Sequence, residues 1–222
     1  MNLVLIMNNN SYAGREYLSK LAERSMYIDV ILIGNYPENN IIEDNRCGNL
    51  WKPPPIKLLN KFHNFFKFDS LDSSNLISFL NTKKYFIGIQ GGTGILRDNI
   101  INQFEFGILN FHPGDLPFYR GCSAPEWQLF ENKPIVSTCH LIDKGIDSGP
   151  ILRKKTLDVD MKSYEAFRAS VYPQTAIFVC EIIHDLINGK KEMNYITQDE
   201  SIAIYRKYIG DNTIAKLKNS YF

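Results

Sequence analysis

The chain has 222 residues, of which 44% are hydrophobic, 13% aromatic and 22% charged. This composition is that of a globular protein with a substantial core and excludes general disorder, and at about 100 to 200 residues per domain the length corresponds to one domain with a small extension. Lys and Arg total 25 and Asp and Glu total 24, giving a net charge of +1, so the basic surplus of a protein that binds nucleic-acid backbones is missing.

The N-terminal residues 1–7 are apolar but few, and they run directly into three asparagines. We therefore predict a first strand rather than a secretion signal. No apolar run approaches the ~18 residues that cross a bilayer. The four cysteines are scattered and lack histidine partners at metal-ligand spacing, which predicts reduced thiols and no metal site. Together these features predict a cytoplasmic protein without a membrane partner.

Short aliphatic runs alternate with amphipathic stretches in the first half of the chain, which predicts a β-α-β opening. The predicted elements are strands at residues 3–7 and 29–34, a helix at 15–24, a loop at 35–55, and helices at 56–66 and 74–81. The loop is polar, contains a run of three prolines and has no periodicity.

The second half continues the alternation and then changes to a strand pair. The predicted elements are strands at residues 85–89 and 107–110, helices at 95–102, 124–131 and 163–188, and paired strands at 135–142 and 151–159. This order predicts an α/β fold with a doubly wound, mostly parallel sheet and ligand binding at the carboxyl ends of its strands. We expect a catalytic domain over residues 1–188 and a short C-terminal extension over 189–222, for dimerisation or closure over a substrate.

Two polar side chains end a predicted buried strand. Asn110 and His112 are two positions apart, so both face the same side of that strand. A later glycine-containing loop supplies two carboxylates, Asp143 and Asp147. An amide donor, an imidazole and a carboxylate suit acyl transfer to an amine, because the amide can donate to an oxyanion and the imidazole can move a proton. No Ser or Cys nucleophile is required if the substrate supplies the attacking amine.

Plainer interpretations exist for each of these residues. In isolation Asn110 could cap a turn and His112 could be a core histidine, and an acidic loop residue such as Asp143 could simply be solvated. We interpret Cys139 and His140, adjacent in a predicted strand, as structural. The sequence also leaves open whether His112 or Asp147 takes the proton from the amine, because coupled groups titrate together.

Three motifs in order resemble the formyltransferases that use 10-formyltetrahydrofolate. They are Asn-x-His-Pro at residues 110–113, Pro-x-x-Arg-Gly at 117–121 and Gly-x-Asp-x-Gly-x-Ile-Leu at 145–152. The resemblance implies a Rossmann-like catalytic domain, 10-formyltetrahydrofolate as cosubstrate without a metal, and a catalytic set of Asn110, His112 and Asp147. It also implies a pterin pocket formed by Gln90, Gly91, Gly94, Ile95, Leu96, Ile108 and Asp143. One departure is Gly-Asp-Leu at residues 114–116, where the family commonly has Ser-Leu-Leu.

Members of this family differ in the amine that they formylate. Initiator-tRNA formyltransferases carry an additional C-terminal β-domain, for which we expect the residues after 188 to be too few. Enzymes that act on glycinamide ribonucleotide follow the first strand with a phosphate-cradling turn, which Asn-Asn-Asn-Ser-Tyr-Ala-Gly-Arg-Glu at residues 8–16 does not resemble. Hydrolases that deliver the formyl group to water usually carry an extra N-terminal regulatory domain. A noncatalytic folate or nucleotide binder is disfavoured by the intact catalytic set.

Residues 11–15 and 124–129 are similar to sugar N-formyltransferases, which modify the amine of a nucleotide-linked deoxysugar. The resemblance favours dTDP-4-amino-4,6-dideoxyglucose as acceptor, in the synthesis of surface polysaccharide such as the O-antigen of lipopolysaccharide. Glycinamide ribonucleotide formylation and formyltetrahydrofolate hydrolysis remain the alternatives. The candidate acceptor contacts are Arg15 to a pyrophosphate, Tyr12 or Tyr119 to a base or sugar, and Ser11. Apolar residues near the C-terminus predict a homodimer.

Overall fold

The computed structural model describes residues 2–34, 42–189 and 194–222. Its strands are β1 (Leu3–Asn8), β2 (Asp29–Ile33), β3 (Asn64–Phe68), β4 (Ile87–Gln90), β5 (Gly107–His112), β6 (Arg120–Gly121), β7 (Val136–Leu141), β8 (Ile151–Thr156) and β9 (Tyr205–Arg206). Its helices are α1 (Tyr12–Glu23), α2 (Ile56–Leu59), α3 (Ser74–Lys83), α4 (Asp98–Ile101), α5 (Ala124–Phe130), α6 (Tyr164–Ile187) and α7 (Asp211–Tyr221). Short 3-10 turns cover Asn45–Cys47 and Glu200–Ile202.

Seven strands form one sheet in the order β3-β2-β1-β4-β5-β7-β8. The first five strands of the chain pair in parallel, whereas β7 and β8 are antiparallel to their neighbours. The predicted Rossmann-like, mostly parallel α/β fold is confirmed. Because β1 has β2 on one side and β4 on the other, the strand order reverses there, and ligands of such sheets bind in the crevice beyond the carboxyl ends of the strands.

Strand β1 shows how the residue sequence produces the layers. Leu5 and Met7 point into a cluster that also contains residues of α1 and α6, while Val4 and Ile6 point into a second cluster with residues of α3. Side chains of a strand alternate between its faces, so a fully aliphatic run requires cover on both sides of the sheet. The sheet is therefore buried between helices, and its carboxyl edge is left for a site.

The C-terminal segment packs on the rest of the chain. Strand β9 pairs in parallel with β6, and Leu217 of α7 joins a third apolar cluster with Leu129 of α5 and Phe167 of α6. Residues 194–222 thus share a core with the preceding fold. Residues 190–193 of the predicted extension and residues 35–41 of the predicted loop lie outside the described residues, and the proposed roles of the extension stay predictions.

Two helix predictions are wrong in extent. The predicted helix at residues 56–66 ends at Leu59, and Asn64–Phe68 instead forms edge strand β3 beside β2. The aromatic residues of this segment favour a strand, and sheet pairing overrides the helical spacing. The predicted helix at 95–102 begins only at Asp98. Among the described residues, no helix combines the length and the apolar character needed to cross a membrane.

Candidate active site

His112 ends strand β5 and is almost fully buried. Its Nε2 lies 2.6 Å from the carbonyl oxygen of Tyr119. A carbonyl only accepts hydrogen bonds, so Nε2 must donate, and the lone pair of the neutral ring is on Nδ1. That Nδ1 lies 3.4 Å from Oδ2 of Asp147. The protein therefore selects the imidazole nitrogen that can take a proton.

Asp147 lies in the loop between β7 and β8 with a φ of 52°, in the left-handed region. Its Oδ2 accepts a hydrogen bond of 2.8 Å from the backbone N–H of Gly121, and its Oδ1 lies 3.4 Å from Nδ2 of Asn110. The structure therefore brings together the three side chains for which a catalytic role was predicted.

The charges of this group follow from its surroundings. Burial alone would raise the pKa of Asp147, but the neighbouring imidazoles of His140 and His112 and the N–H of Gly121 together lower that pKa to about 2. Burial lowers the pKa of His112 and the charge of Asp147 only partly offsets this effect. At neutral pH the site holds an ionised carboxylate beside a neutral imidazole.

His140, interpreted from the sequence as a structural residue, also contacts this group. Asn110 and His140 are direct partners in the antiparallel pairing of β5 with β7. Nδ1 of His140 lies 2.8 Å from the carbonyl oxygen of Leu141 and must donate to it, so Nε2 accepts the 3.1 Å hydrogen bond from Nδ2 of Asn110. Only the strand register reveals this pair, and the sequence does not contain that register explicitly.

Gly114 explains the departure from the usual residues after His-Pro. A Cβ at this position would come within 2.5 Å of Nε2 of His112 and 2.8 Å of the Cβ of Ala124. The next residue, Asp115, pairs with Lys154 at 2.6 Å. The glycine is therefore required where the chain passes between the imidazole and helix α5.

Two cavities meet at Asn110. The donor-side cavity, of about 190 Å³, is bounded by the residue 94–96 turn and the residue 142–147 loop. The acceptor-side cavity, of about 310 Å³, lies between β5 and helices α1, α5 and α6 and is lined in part by His112. Gln90, Gly94 and Asn110 line both. A group carried on a ligand in one cavity is thus within reach of a ligand in the other.

A family model described as formyl transferase matches residues 1–173. The chain belongs to the formyl transferase family. The family resemblance predicted from the three motifs is therefore confirmed.

Methionyl-tRNA formyltransferases are among the sequence relatives of this formyl transferase family member. Methionyl-tRNA formyltransferase of Chloroflexus aurantiacus is 30% identical over 111 residues, which cover 48% of this chain and 36% of that protein. The chain therefore spans well under two thirds of the length of that relative.

Solved structures of the same fold include proteins with different acceptors. An N-formyltransferase from Helicobacter canadensis, in complex with folinic acid and dTDP-3-aminofucose, is similar with a TM-score of 0.64 at 15% identity, covering 93% of this chain and 71% of that one. Glycinamide ribonucleotide transformylase 1 from Symbiobacterium toebii has a TM-score of 0.60 at 17% identity, and the match covers 90% of this chain and 95% of that one. The shared fold does not choose between acceptors.

The residues predicted for the pterin pocket of this formyl transferase divide into two groups. Five line the donor-side cavity, namely Gln90, Gly94, Ile95, Leu96 and Asp143. Gly91 instead packs against Leu5, and its carbonyl accepts a hydrogen bond from the Ser11 hydroxyl. Ile108 is fully buried in the core cluster behind Ile142. These two residues support the cavity from behind.

Asp143 shapes the loop that bounds the donor-side cavity. Its Oδ1 accepts hydrogen bonds from the backbone N–H of Gly145 at 3.0 Å and from Oγ of Ser148 at 2.6 Å. Such side-chain to backbone bonds fix a turn. The carboxylate therefore holds the conformation of the loop as well as lining the cavity.

The residues predicted to contact the acceptor have other partners. Ser11 caps helix α1, and the buried guanidinium of Arg15 donates to the carbonyl oxygen of Asn9. The hydroxyl groups of Tyr12 and Tyr119 donate to the Glu43 carbonyl and the Glu131 carboxylate. As far as the described residues form them, neither of the two cavities is lined by these four predicted contacts. Their role in binding the acceptor stays a prediction.

The charged residues that line the acceptor-side cavity include Arg46 and Arg168, which the sequence analysis did not single out, and Glu126 from the segment 124–129. Arg168 of α6 donates to Glu126 of α5 at 3.4 Å, and Nη1 of Arg46 lies 3.7 Å from the same carboxylate. Behind them, Asp44 pairs with Arg46 at 2.7 Å and accepts from Tyr172 at 2.8 Å. Burial would raise the pKa of Asp44, but these partners lower it to about 2. No local sequence pattern marks this set, because its members come from three distant segments.

Proposed function

We propose that this chain transfers a formyl group from 10-formyltetrahydrofolate to the amine of a nucleotide-linked amino sugar. The observation that carries the proposal is the convergence of Asn110, His112 and Asp147 where two cavities meet. A donor in one cavity and an amine in the other would present their reacting atoms to the same three side chains.

The donor-side cavity has the features that a folate requires. Ile95, Leu96 and Ile142 supply apolar surface for a flat ring, and the loop of residues 143–147 borders that surface with backbone polar groups. The folate would supply the formyl group, and no metal is needed for this chemistry. The folinic acid in the Helicobacter canadensis complex supports this choice of donor.

Each polar side chain has a defined task in the transfer. As the amine nitrogen bonds to the formyl carbon, negative charge develops on the formyl oxygen. Asn110 Nδ2 can stabilise this charge by giving up its 3.4 Å contact with Asp147 and donating a hydrogen bond to the formyl oxygen instead. His112 Nδ1 takes the proton that the amine loses, and Asp147 stabilises the resulting imidazolium. The same proton then passes to the departing folate nitrogen, so the products are a formamide and tetrahydrofolate.

The acceptor-side cavity supports a neutral sugar group. The guanidinium groups of Arg46 and Arg168 are balanced by the carboxylates of Asp44 and Glu126, so the wall has no charge surplus to attract a phosphate. Among the described residues, Oγ1 of Thr175, which lines this cavity, is buried without a hydrogen-bond partner. Sugar hydroxyls both donate and accept, and they would satisfy such groups.

Size and relatives refine the acceptor. At about 310 Å³ the cavity is at the small end of ligand pockets, which suits a single sugar with its nucleotide extending outward. We favour dTDP-4-amino-4,6-dideoxyglucose, with the product used for surface polysaccharide such as O-antigen. The dTDP-3-aminofucose in the Helicobacter canadensis complex supports a dTDP-linked amino sugar. We further propose that the protein is cytoplasmic and that it forms a homodimer. The exposed side chains of Ile196 and Tyr208 support the dimer, which light scattering tests.

Purified protein with 10-formyltetrahydrofolate and a panel of acceptors tests the proposal. The panel contains dTDP- and UDP-linked 3-amino and 4-amino sugars, glycinamide ribonucleotide and a sample without acceptor, with products measured by mass spectrometry. We expect a formylated sugar nucleotide, and a His112→Asn variant that is slower by roughly 10²- to 10⁴-fold. Formylation of glycinamide ribonucleotide alone, or consumption of the folate without any acceptor, would contradict the proposal. The exposed His184, changed to Asn, is the matched control.

A further inference from the structure

One glutamine connects the C-terminal segment to the catalytic loop. Nε2 of Gln198 donates to the carbonyl oxygens of Asp147 at 2.9 Å and Gly149 at 2.7 Å. Gln198 is buried. It also lies outside residues 1–173, to which the family model extends. The backbone that carries the catalytic carboxylate is thus held from a part of the chain that the family model does not include.

Arg120 anchors this glutamine. The arginine side chain is fully buried, and its Nε and Nη2 donate to Oε1 of Gln198 at 3.1 and 2.9 Å. The same guanidinium binds both carboxylate oxygens of Glu200, at 2.8 and 2.6 Å. Bidentate pairs of this kind are strong and fix orientation. The arginine of the Pro-x-x-Arg-Gly motif therefore binds the C-terminal segment.

Gly121, the residue after Arg120, also contacts Asp147. The backbone N–H of Gly121 donates to Oδ2 of Asp147, while β6, which contains Arg120 and Gly121, pairs with β9. Gly121 has a φ of 92°, and a Cβ there would collide with the carbonyl oxygen of Arg206. Only glycine permits this close approach. Asp147 is consequently bound through its side chain and its backbone by one connected assembly.

The conformation of Asp147 explains why such an assembly is needed. Non-glycine residues rarely adopt its positive φ, and they keep that conformation where surrounding contacts impose it. Gly149 is equally constrained, because a Cβ there would collide with the carbonyl oxygen of Leu141. The hydrogen bonds from Gln198 reach the backbone at these two constrained positions.

We infer that Gln198 is a positioning residue, which transmits the Arg120–Glu200 anchor to the loop and aims the Asp147 carboxylate at His112. The C-terminal segment thereby completes the catalytic site. The inference rests on the proposed function, because it takes Asp147 as a member of the catalytic set.

Gln198→Glu separates positioning from mere structural support. The new carboxylate keeps the acceptor for Arg120 but, ionised beside that arginine, has no hydrogen to donate to the Asp147 and Gly149 carbonyls. We expect a folded protein with a lowered melting temperature, because two buried carbonyl oxygens lose their donor. Measured below that temperature, kcat should be lower by roughly 10- to 100-fold, with little change in the KM for the acceptor. Gln198→Ala removes the hydrogen bonds to the loop and the acceptor for Arg120 without adding charge. It is expected to show the same loss of kcat.

A second readout needs no acceptor. The ring resonances of His112, assigned in NMR spectra by comparison with His112→Asn, should shift in Gln198→Glu because the Asp147 carboxylate moves. Ser201→Ala is the matched control, since it removes only a local hydrogen bond to Asp199 in the same segment, and it should leave kcat and the spectrum unchanged.

The two measurements distinguish the possible failures. Wild-type kcat and unshifted His112 resonances in both Gln198 variants would overturn the positioning role. If the wild-type protein formylates no sugar nucleotide, the proposed function fails, and the His112 resonances still decide whether Gln198 positions Asp147.

Discussion

At the scale of single residues, the site depends on which hydrogen bonds are already made. His112 uses Nε2 on the Tyr119 carbonyl, so only Nδ1 is available for proton transfer. Asn110 uses its amide hydrogens on His140 and Asp147, and the longer of these contacts is the one that a substrate oxygen can replace. Reactivity is therefore set by neighbouring groups that do not themselves react.

The pH dependence of turnover follows from the same contacts. His112 must be neutral to take a proton, and burial lowers its pKa, so the acid limb of the kcat profile should lie below the ordinary pKa of imidazole. Asp147 raises the pKa of His112. Asp147→Asn should therefore move the acid limb to still lower pH while reducing kcat. An acid limb that moves upward in Asp147→Asn would contradict this assignment.

Gly114 provides a steric test of the imidazole position. Gly114→Ala adds a Cβ against the His112 ring and Ala124, which should displace the ring and lower kcat by roughly 10- to 100-fold without unfolding the protein. Steady-state kinetics and circular dichroism measure the two effects. Gly210→Ala is the control, because a Cβ there meets no atom within 4 Å and its φ is not positive. Equal kcat values for the two variants would show that the ring has room to move.

At the scale of elements, local pattern predicts much of the sheet but not its register. Compact aliphatic runs such as that of β1 identify buried strands because both faces are covered. The edge strand β3 was missed, since its half-exposed aromatic residues also fit a helix. His140 and Gln198 were missed for another reason. Their contacts with Asn110 and Asp147 cross 30 and 51 residues of sequence and exist only after the strands pair and the C-terminal segment docks.

The docking of α7 gives a prediction for stability. Leu217 is fully buried in the cluster with Leu129 and Phe167. Leu217→Ala should lower the free energy of unfolding by about 2 to 5 kcal/mol, because it removes apolar contacts and leaves a cavity. Urea denaturation measures the change, with exposed Lys216→Ala as the control. A loss below about 1 kcal/mol would mean that α7 is not part of the cooperative core.

At the scale of the whole molecule, the doubly wound sheet brings two cavities together at one edge. The carboxyl ends of β4 and β5 supply Gln90, Asn110 and His112. Family and fold were both predictable, because the three motifs lie at the end of β5, in the segment through β6 that follows it, and in the loop that leads from β7 into β8. The residues that line the acceptor-side cavity were not predictable as a set, since Arg46, Glu126 and Arg168 come from separate segments.

The meeting of two cavities predicts the kinetic order of the reaction. Direct transfer requires both substrates to be bound together, so initial-rate plots in which each substrate is varied at several fixed levels of the other should give intersecting lines. Mass spectrometry of protein treated with 10-formyltetrahydrofolate alone should find no formylated enzyme. Parallel lines together with a formylated enzyme would indicate a covalent intermediate and contradict direct transfer.

The tight fit of Gly114 against Ala124 limits how this enzyme can be re-engineered. Grafting the Ser-Leu-Leu found in relatives into residues 114–116 would insert a side chain where the first turn of α5 already fills the space. A chimaera that exchanges this loop alone should therefore be inactive, whereas exchanging the loop and α5 as one cassette preserves the fit. Natural variation at the two positions is expected to be correlated for the same steric reason.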